Sequence, residues 1–341
     1  MQRRTFLRQL GSAVLATVAT APARAASDPA RVVHTVRGPI SPEALGPTLP
    51  HEHILVDFVG AADVSPARYS VDAVAAAALP HLKAAHAQGV RTLVECTPNF
   101  LARDPRLLAR LSAESGLHLV TNTGLYGARK NIFLPAYAHT DSSQQLAARW
   151  IAEARDGIGD TGIRPGFIKS GVDPEPALSE VQRKLVAAAA LTHAATGLTL
   201  AVHTGRGPGL AQLDVLRAHG VAPAAYIWVH AQGAKDDDLF AAADRGAWIS
   251  CDGLNRNSIT RHLHLCVEFR KRGHLERVLL SHDAGWFDPA KPDGGPFRGY
   301  DLLYAEFLPL LRKNDFSAAE IERLTVRNPA EALVVRVRPN A

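Results

Sequence analysis

The chain has 341 residues, 47% hydrophobic and 21% charged, with a formal net charge of +5. That balance excludes a disordered chain, and the length allows one large barrel-sized domain or two smaller ones. Three cysteines, Cys96, Cys251 and Cys266, are too few and odd in number for a disulfide framework.

The first residues are a targeting segment rather than fold. Arg3-Arg4-Thr5-Phe6-Leu7 is a twin-arginine pattern, an apolar run follows from Leu10 to Ala21, and Ala23-Arg24-Ala25 offers a small-x-small cleavage site. Residues 1–25 therefore read as a Tat signal peptide, with the mature protein expected in the periplasm or secreted. The apolar run is too short to span a bilayer, so no stable membrane anchor is expected. Removing residues 1–25 takes Lys+Arg from 38 to 34 against 33 Asp+Glu, which leaves +1. The basic balance belongs to the signal, and no basic-aromatic patch points to nucleic acid.

The body opens with Thr48-Leu49-Pro50-His51-Glu52-His53-Ile54-Leu55-Val56, a strand pattern with histidines at i and i+2. Alternate residues of a strand point the same way, so His51 and His53 can aim at one ion. An alanine-rich helix is predicted over 71–88, with Leu79, Leu82 and Ala85 at helical spacing and Gly89 at its C-cap. Pro80 predicts a kink or a split in it. Strand 91–98, helix 104–115, strand 118–126 and helix 142–157 follow. The alternation continues with strand 166–171, helix 179–196, strand 198–204, helix 209–219, strand 226–230 and helix 236–244. Strand 248–252, helix 258–272, strand 277–283 and helix 300–313 complete it. Eight strands, each followed by a helical segment, over about 300 residues predict a (β/α)8 TIM barrel spanning residues 32–336. A doubly wound sheet is the alternative.

In such a barrel the chemistry sits at the C-terminal ends of the strands. Polar residues lie on or end these otherwise apolar strands: His51 and His53 on the first, Lys169 on the fourth, His203 on the fifth, His230 on the sixth and Asp283 on the eighth. Singly, His203 could be a core histidine and Asp283 a cap. As a set they converge on one face. His51, His53 and Asp283 can hold one divalent ion, and His203 and His230 a second. An ammonium repels cations, but a buried lysine can react with carbon dioxide to give an anionic carbamate whose two oxygens bridge two ions. The other role open to Lys169 is that of a charged substrate anchor.

The chain resembles the phosphotriesterase family of the amidohydrolase superfamily, which also holds lactonases and other esterases. The carriers are Pro50-His51-Glu52-His53, Asp160-Thr161-Gly162-Ile163-Arg164 before Gly166-Phe167-Ile168-Lys169, Val202-His203-Thr204, Val229-His230, Ser281-His282-Asp283 and Val326-Arg327-Asn328-Pro329-Ala330. The resemblance implies a binuclear centre, zinc first and manganese, cobalt or iron as alternatives, bridged by carbamylated Lys169 and a hydroxide. It carries His51, His53, Lys169, His203, His230 and Asp283 over as ligands, with Asp283 also catalytic as acceptor of the hydroxide's proton. It implies a homodimer, although no interface is legible in the sequence.

The resemblance thins toward the substrate. Phosphotriester-cleaving members carry a Trp after the third strand, a His after the Asp ending the seventh, and an Asp shortly after the sixth-strand His. Here those places read Gly124-Leu125-Tyr126-Gly127, Asp252-Gly253-Leu254 and Ala231-Gln232-Gly233. Tyr126 and, with an offset register, Arg256 are similar to substrate-contacting residues of the lactonase-like members. Glu95 is read as a substrate contact or as a partner of Arg91 or Arg103, and the loop 286–299 as a pocket wall. The expected activity is therefore hydrolysis of a small lactone or carboxyl ester by an exported metal enzyme, with phosphotriester hydrolysis as the alternative. Amide hydrolysis would use the same centre. A non-catalytic binding protein would need a missing ligand, and none is missing.

Overall fold

After a hairpin of β1 (Val33–Thr35) and β2 (Gly38–Ile40), strands and helices alternate through β3 (Thr48–Glu52), α1 (Val71–Ala87), β4 (Thr92–Glu95) and α2 (Pro105–Ser115). The third unit has a divided strand, β5 (His118–Val120) and β6 (Asn122–Thr123), then α3 (Tyr137–Thr140) and α4 (Ser143–Asp156). Next come β7 (Phe167–Gly171), α5 (Glu180–Thr196), β8 (Thr199–His203), α6 (Gly209–Ala218), β9 (Tyr226–Val229) and α7 (Asp236–Asp244). The chain continues with β10 (Trp248–Cys251), α8 (Ile259–Lys271), β11 (Val278–Leu280), α9 (Leu308–Lys313), α10 (Ala318–Glu322) and α11 (Asn328–Leu333). This is the expected (β/α)8 barrel, seen in a computed structural model that describes residues 31–340. The signal peptide expected at residues 1–25 lies outside the described residues. Among the described residues no helix is long and apolar enough to cross a membrane.

The helices start where the sequence provides caps. Asp104 accepts from the backbone N–H of Arg106 and Leu107 at the head of α2, with Pro105 in the first turn. Ser142 with Gln145, and Ser179 with Gln182, form capping boxes on α4 and α5. Pro80 does not divide α1, which runs unbroken through it. Neither the hairpin nor the last helices show in the sequence pattern. Strands of three residues and helices of five or six are too short to display a period.

Parallel pairing joins β11-β10-β9-β8-β7-β6 and, separately, β3-β4-β5. The third strand links the two groups, because β5 pairs with β4 and β6 with β7. Beside the break, the Asn122 amide donates to the carbonyls of Glu95 and Thr97, replacing the missing backbone pairing to the second strand. The seam between the eighth and first strands is closed by His51 N–H to Ser281 Oγ, Asp283 N–H to the His51 carbonyl and His53 N–H to the Ala284 carbonyl.

Strand alternation sorts side chains into two packed sets. Val94, Phe167, Ala201, Ile227 and Leu279 pack in one cluster, the inner set. Ile168, Leu200, Val202 and Trp228 pack outward with the helices. Lys169 follows Phe167 and His203 follows Ala201 on the inner face, one step higher in the barrel. The opposite end is closed by the hairpin and the C-terminal segment. There the Arg338 guanidinium is buried and donates to the carbonyls of Glu331, Val334 and Arg336 and to Thr199 Oγ1. Burial, with Arg336 adding, pulls its pKa down to about 10. Replacing Arg338 with Met strands those carbonyls at the N-terminal face. We expect Arg338→Met to lose about 2–4 kcal/mol of stability, read as a lower denaturation midpoint at unchanged m-value, with activity per folded molecule retained.

Candidate metal centre

Six side chains predicted to meet do meet. His51, His53, Lys169, His203, His230 and Asp283 line one cavity at the C-terminal end of the barrel, together with Tyr126, Cys96, Phe58 and Trp286. Adjacent imidazoles lie with ring centroids 5.4 Å (His51–His53), 5.1 Å (His51–His230) and 4.5 Å (His203–His230) apart. The Asp283 carboxylate sits 3.6 Å from His51 Nε2, 3.2 Å from His53 Nε2 and 3.9 Å from His230 Nδ1.

The strands end earlier than the sequence pattern suggests, and that shapes the centre. β3 stops at Glu52, β9 at Val229 and β11 at Leu280, so His53, His230 and Asp283 lie on the turns leaving them. His230 (φ +60°) and Asp283 (φ +53°) take left-handed backbone conformations, which side-chain-bearing residues avoid. Each is held there by a buried carboxylate or its neighbours. Both oxygens of Asp252 accept from His230 N–H at 3.1 Å, and Asp252 Oδ1 accepts from His230 Nδ1 at 2.7 Å. Asp252 Oδ2 is also 3.3 Å from His51 Nδ1. With Nδ1 of both rings directed at this carboxylate, Nε2 is left as the ligating atom.

Glu52 does the corresponding work for Asp283. Its side chain is fully buried. Oε1 accepts from Ser281 Oγ (2.7 Å), His282 N–H (2.9 Å) and His282 Nδ1 (2.6 Å), and Oε2 accepts from Ala284 N–H (2.8 Å). His282 Nε2 in turn accepts from Leu303 N–H at 2.9 Å. The residues on either side of Asp283 are thus fixed to the residue between His51 and His53. Around His53, Nδ1 lies 2.8 Å from Thr97 Oγ1, and the Tyr300 hydroxyl donates to the His53 carbonyl at 2.6 Å.

The electrostatics suit metal binding. Burial, reinforced by Lys169, holds the pKa of His51 well below its usual value. Burial and the neighbouring His230 bring His203 to about 3. Both rings are therefore neutral and able to ligate near pH 7. Burial opposes a charge on His230 as well, but Asp252 outweighs it and the pKa is raised. Burial would push Asp283 up, yet His53, His230 and His51 together hold it well below the carboxylate range. A divalent ion fits what is left unsatisfied: His51 Nε2 and Asp283 Oδ1 are buried with no hydrogen-bond partner among the described residues. Ligand atoms of His51, His53 and Asp283 all lie within 4.8 Å of one another. Two imidazoles and a carboxylate are a recurrent donor set for zinc.

The profile of the Phosphotriesterase family matches residues 31–333. The chain belongs to the phosphotriesterase family. It is 31% identical over 292 residues to the Phosphotriesterase homology protein of Escherichia coli (strain K12), covering 84% of this chain and 97% of that one. It is 27% identical over 303 residues to the Aryldialkylphosphatase of Saccharolobus solfataricus, covering 85% and 95%. Among solved structures, the Organophosphorus Hydrolase from Deinococcus radiodurans superposes with a TM-score of 0.79 at 26% identity, covering 89% and 96%. This phosphotriesterase-family protein is accordingly a metal-dependent hydrolase acting on ester or phosphoester bonds, in a family of binuclear metal hydrolases.

Two substrate contacts predicted from the sequence separate. Tyr126 lines the cavity, its ring 5.2 Å from His203 and 5.9 Å from Phe133. Burial drives its hydroxyl pKa up, Asp283 adding and Arg129 opposing. Arg256 does not reach the cavity: its side chain is exposed and pairs with Glu306 at 2.7 Å on the outer surface. Glu95 pairs with neither Arg91 nor Arg103. It accepts from Ile54 N–H and Thr97 N–H, and Arg103 pairs with Glu153 instead. Of the loop 286–299, Trp286 lines the cavity. Glu52 and Asp252 escaped assignment because a carboxylate on a strand or at its end reads the same whether it faces the core or water.

The hydrolase should depend on Glu52 through Asp283. Glutamine has a single carbonyl oxygen and cannot accept at both ends, so Glu52→Gln releases one side of the Asp283 turn. We expect divalent-metal affinity to fall about 10- to 100-fold, measured by competition with a chromogenic chelator, while circular dichroism remains that of the wild type.

Proposed function

We propose that this hydrolase is an exported lactonase or carboxyl esterase with a binuclear centre bridged by carbamylated Lys169. Tyr126 carries the substrate reading. It stands beside His203 in the cavity wall, where a tryptophan would mark the phosphotriester-cleaving pattern. Its hydroxyl makes no hydrogen bond among the described residues, which leaves it free to hydrogen-bond an ester oxygen. The residues after the sixth and seventh strands also depart from that pattern. Asp252 is committed to His230 and His51, and Gly253 follows it rather than a histidine.

Two divalent ions, zinc first and manganese, cobalt or iron as alternatives, supply Lewis acidity toward the substrate oxygen and make water nucleophilic near neutral pH when bound. His51, His53 and Asp283 would hold one, and His203 and His230 the other. Lys169 supports the bridging role. Its side chain is buried in the cavity floor, and among the described residues no carboxylate lies within ion-pair distance of it. A buried cation without a counter-ion is unfavourable, whereas a carbamate there would be stabilised by two cations. Asp283, which lines the cavity beside the ligating histidines, would also take the proton released as water attacks the carbonyl. Phe58, Leu101 and Trp286 form the apolar wall that receives the acyl part. Export rests on the Arg3-Arg4 signal pattern alone, and a homodimer on the family resemblance alone. A second reading, phosphotriester hydrolysis, is favoured by the relative named Aryldialkylphosphatase. The same attack would act on phosphorus.

Elemental analysis of the purified protein, with and without Lys169→Ala, tests the centre: about two ions per chain should fall sharply in the variant. A panel of lactones, aryl esters and paraoxon-type triesters tests the substrate. We expect the highest kcat/KM on a lactone or carboxyl ester. Turnover of triesters alone would establish the second reading, and no turnover with full metal loading would refute both.

A further inference from the structure

An arginine that the proposed chemistry does not use lies outside the cavity lining, against the aromatic residues of its wall. Phe58 and Trp286 stack at 5.5 Å with an interplanar angle of 17°, and both line the cavity. Phe133 is buried behind them, 6.1 Å from Phe58 and 5.9 Å from Tyr126. Over the junction of the two phenylalanines lies the guanidinium of Arg129, 5.5 Å from the Phe58 centroid and 5.9 Å from that of Phe133. Arg129 is exposed, and among the described residues no carboxylate pairs with it.

The backbone carrying Arg129 is unusual. Arg129, Lys130 and Asn131 have φ values of +56°, +58° and +64°, three consecutive left-handed residues, none of them glycine. Such a run is sterically unfavourable and persists only where its surroundings impose it. Here they do. Both oxygens of Asp173, on the loop after β7, accept from Lys130 N–H at 3.2 Å. Gln182, of the α5 capping box, is buried and donates to Asp173 Oδ2 at 2.9 Å and to the Gly127 carbonyl at 3.3 Å. The loop is thereby pinned in a form that sets Arg129 on the aromatic rim. Another arginine adds charge on the same side. Arg298, from the loop after β11, donates to the Asp283 carbonyl at 3.0 Å and has no carboxylate partner among the described residues.

We propose that Arg129 anchors the substrate, and that this hydrolase takes esters or lactones bearing a carboxylate remote from the scissile carbonyl. The inference rests on the ester and lactone reading above. A guanidinium seated on arene faces is partly stripped of water yet keeps its planar N–H edge free, which suits bidentate capture of a carboxylate. The reacting carbonyl would lie at the metal ligands, the apolar body against Phe58 and Trp286, and the anion at the outer edge. If Arg129 served only to stiffen its loop by stacking, substrate charge would be irrelevant.

The test compares a lactone bearing a side-chain carboxylate with its primary amide, using the metal-loaded wild type, Arg129→Gln and Arg129→Lys. We expect the wild type to prefer the carboxylate through KM by about tenfold. That preference should vanish in Arg129→Gln at unchanged kcat, recover partly in Arg129→Lys, and weaken as salt is raised. The amide should not distinguish the three proteins. Equal KM values for the two lactones, or a preference surviving in Arg129→Gln, would overturn the proposal. Calorimetric binding of the ring-opened hydroxy-dicarboxylate separates this failure from that of the lactone reading. If neither lactone is turned over, tenfold weaker binding of this product by Arg129→Gln still supports the anion site, and equal binding refutes it.

Discussion

A fully buried carboxylate with four hydrogen bonds ties the first strand of this barrel to the turn after the eighth. Glu52 lies between His51 and His53 in sequence, and Ser281, His282 and Ala284, which it binds, surround Asp283. One side chain therefore sets the distance between the imidazoles of His51 and His53 and the Asp283 carboxylate. A buried charge is tolerated only when its acceptor capacity is filled. Here each donor belongs to the segment that has to be fixed, so the cost of burial becomes positional accuracy.

Asp252 repeats the arrangement across the cavity, directing His51 and His230 through their Nδ1 atoms. The two carboxylates explain why His230 and Asp283 hold left-handed backbone positions without glycine. Strain at His230 and Asp283 is balanced by hydrogen bonds to residues that do not line the cavity. The barrel thus separates its tasks by height. The N-terminal face is sealed by Arg338 and the C-terminal tail, the middle is apolar, and the C-terminal face carries the polar groups.

Much of the fold was legible from the alternation of strand and helix patterns and from caps such as Asp104, Ser142 and Ser179, because these depend on neighbours a few residues away. The division of the third strand at Thr121 was not, since it depends on Asn122 reaching carbonyls of the second strand. The hairpin at residues 33–40 was invisible for lack of length. At the site, Tyr126 was placed in the cavity by its resemblance to a residue of the lactonase-like members, and it lines that cavity. Arg256 was drawn toward it by the same reasoning and sits outside, paired with Glu306. A loop residue several positions past a strand end can turn either way, and sequence distance does not say which.

By itself the sequence determined which chemical groups occupy the C-terminal ends of the strands. Strand periodicity makes Lys169 and His203 share an inner face with the residues two positions before them. Which carboxylates orient the histidines, which rings Arg129 lies over while Arg256 pairs with Glu306, and where the backbone is strained were decided only in three dimensions. These depend on contacts such as Glu52 with Ser281 or Lys130 with Asp173, between segments that the chain leaves far apart and the closed barrel brings within hydrogen-bond distance.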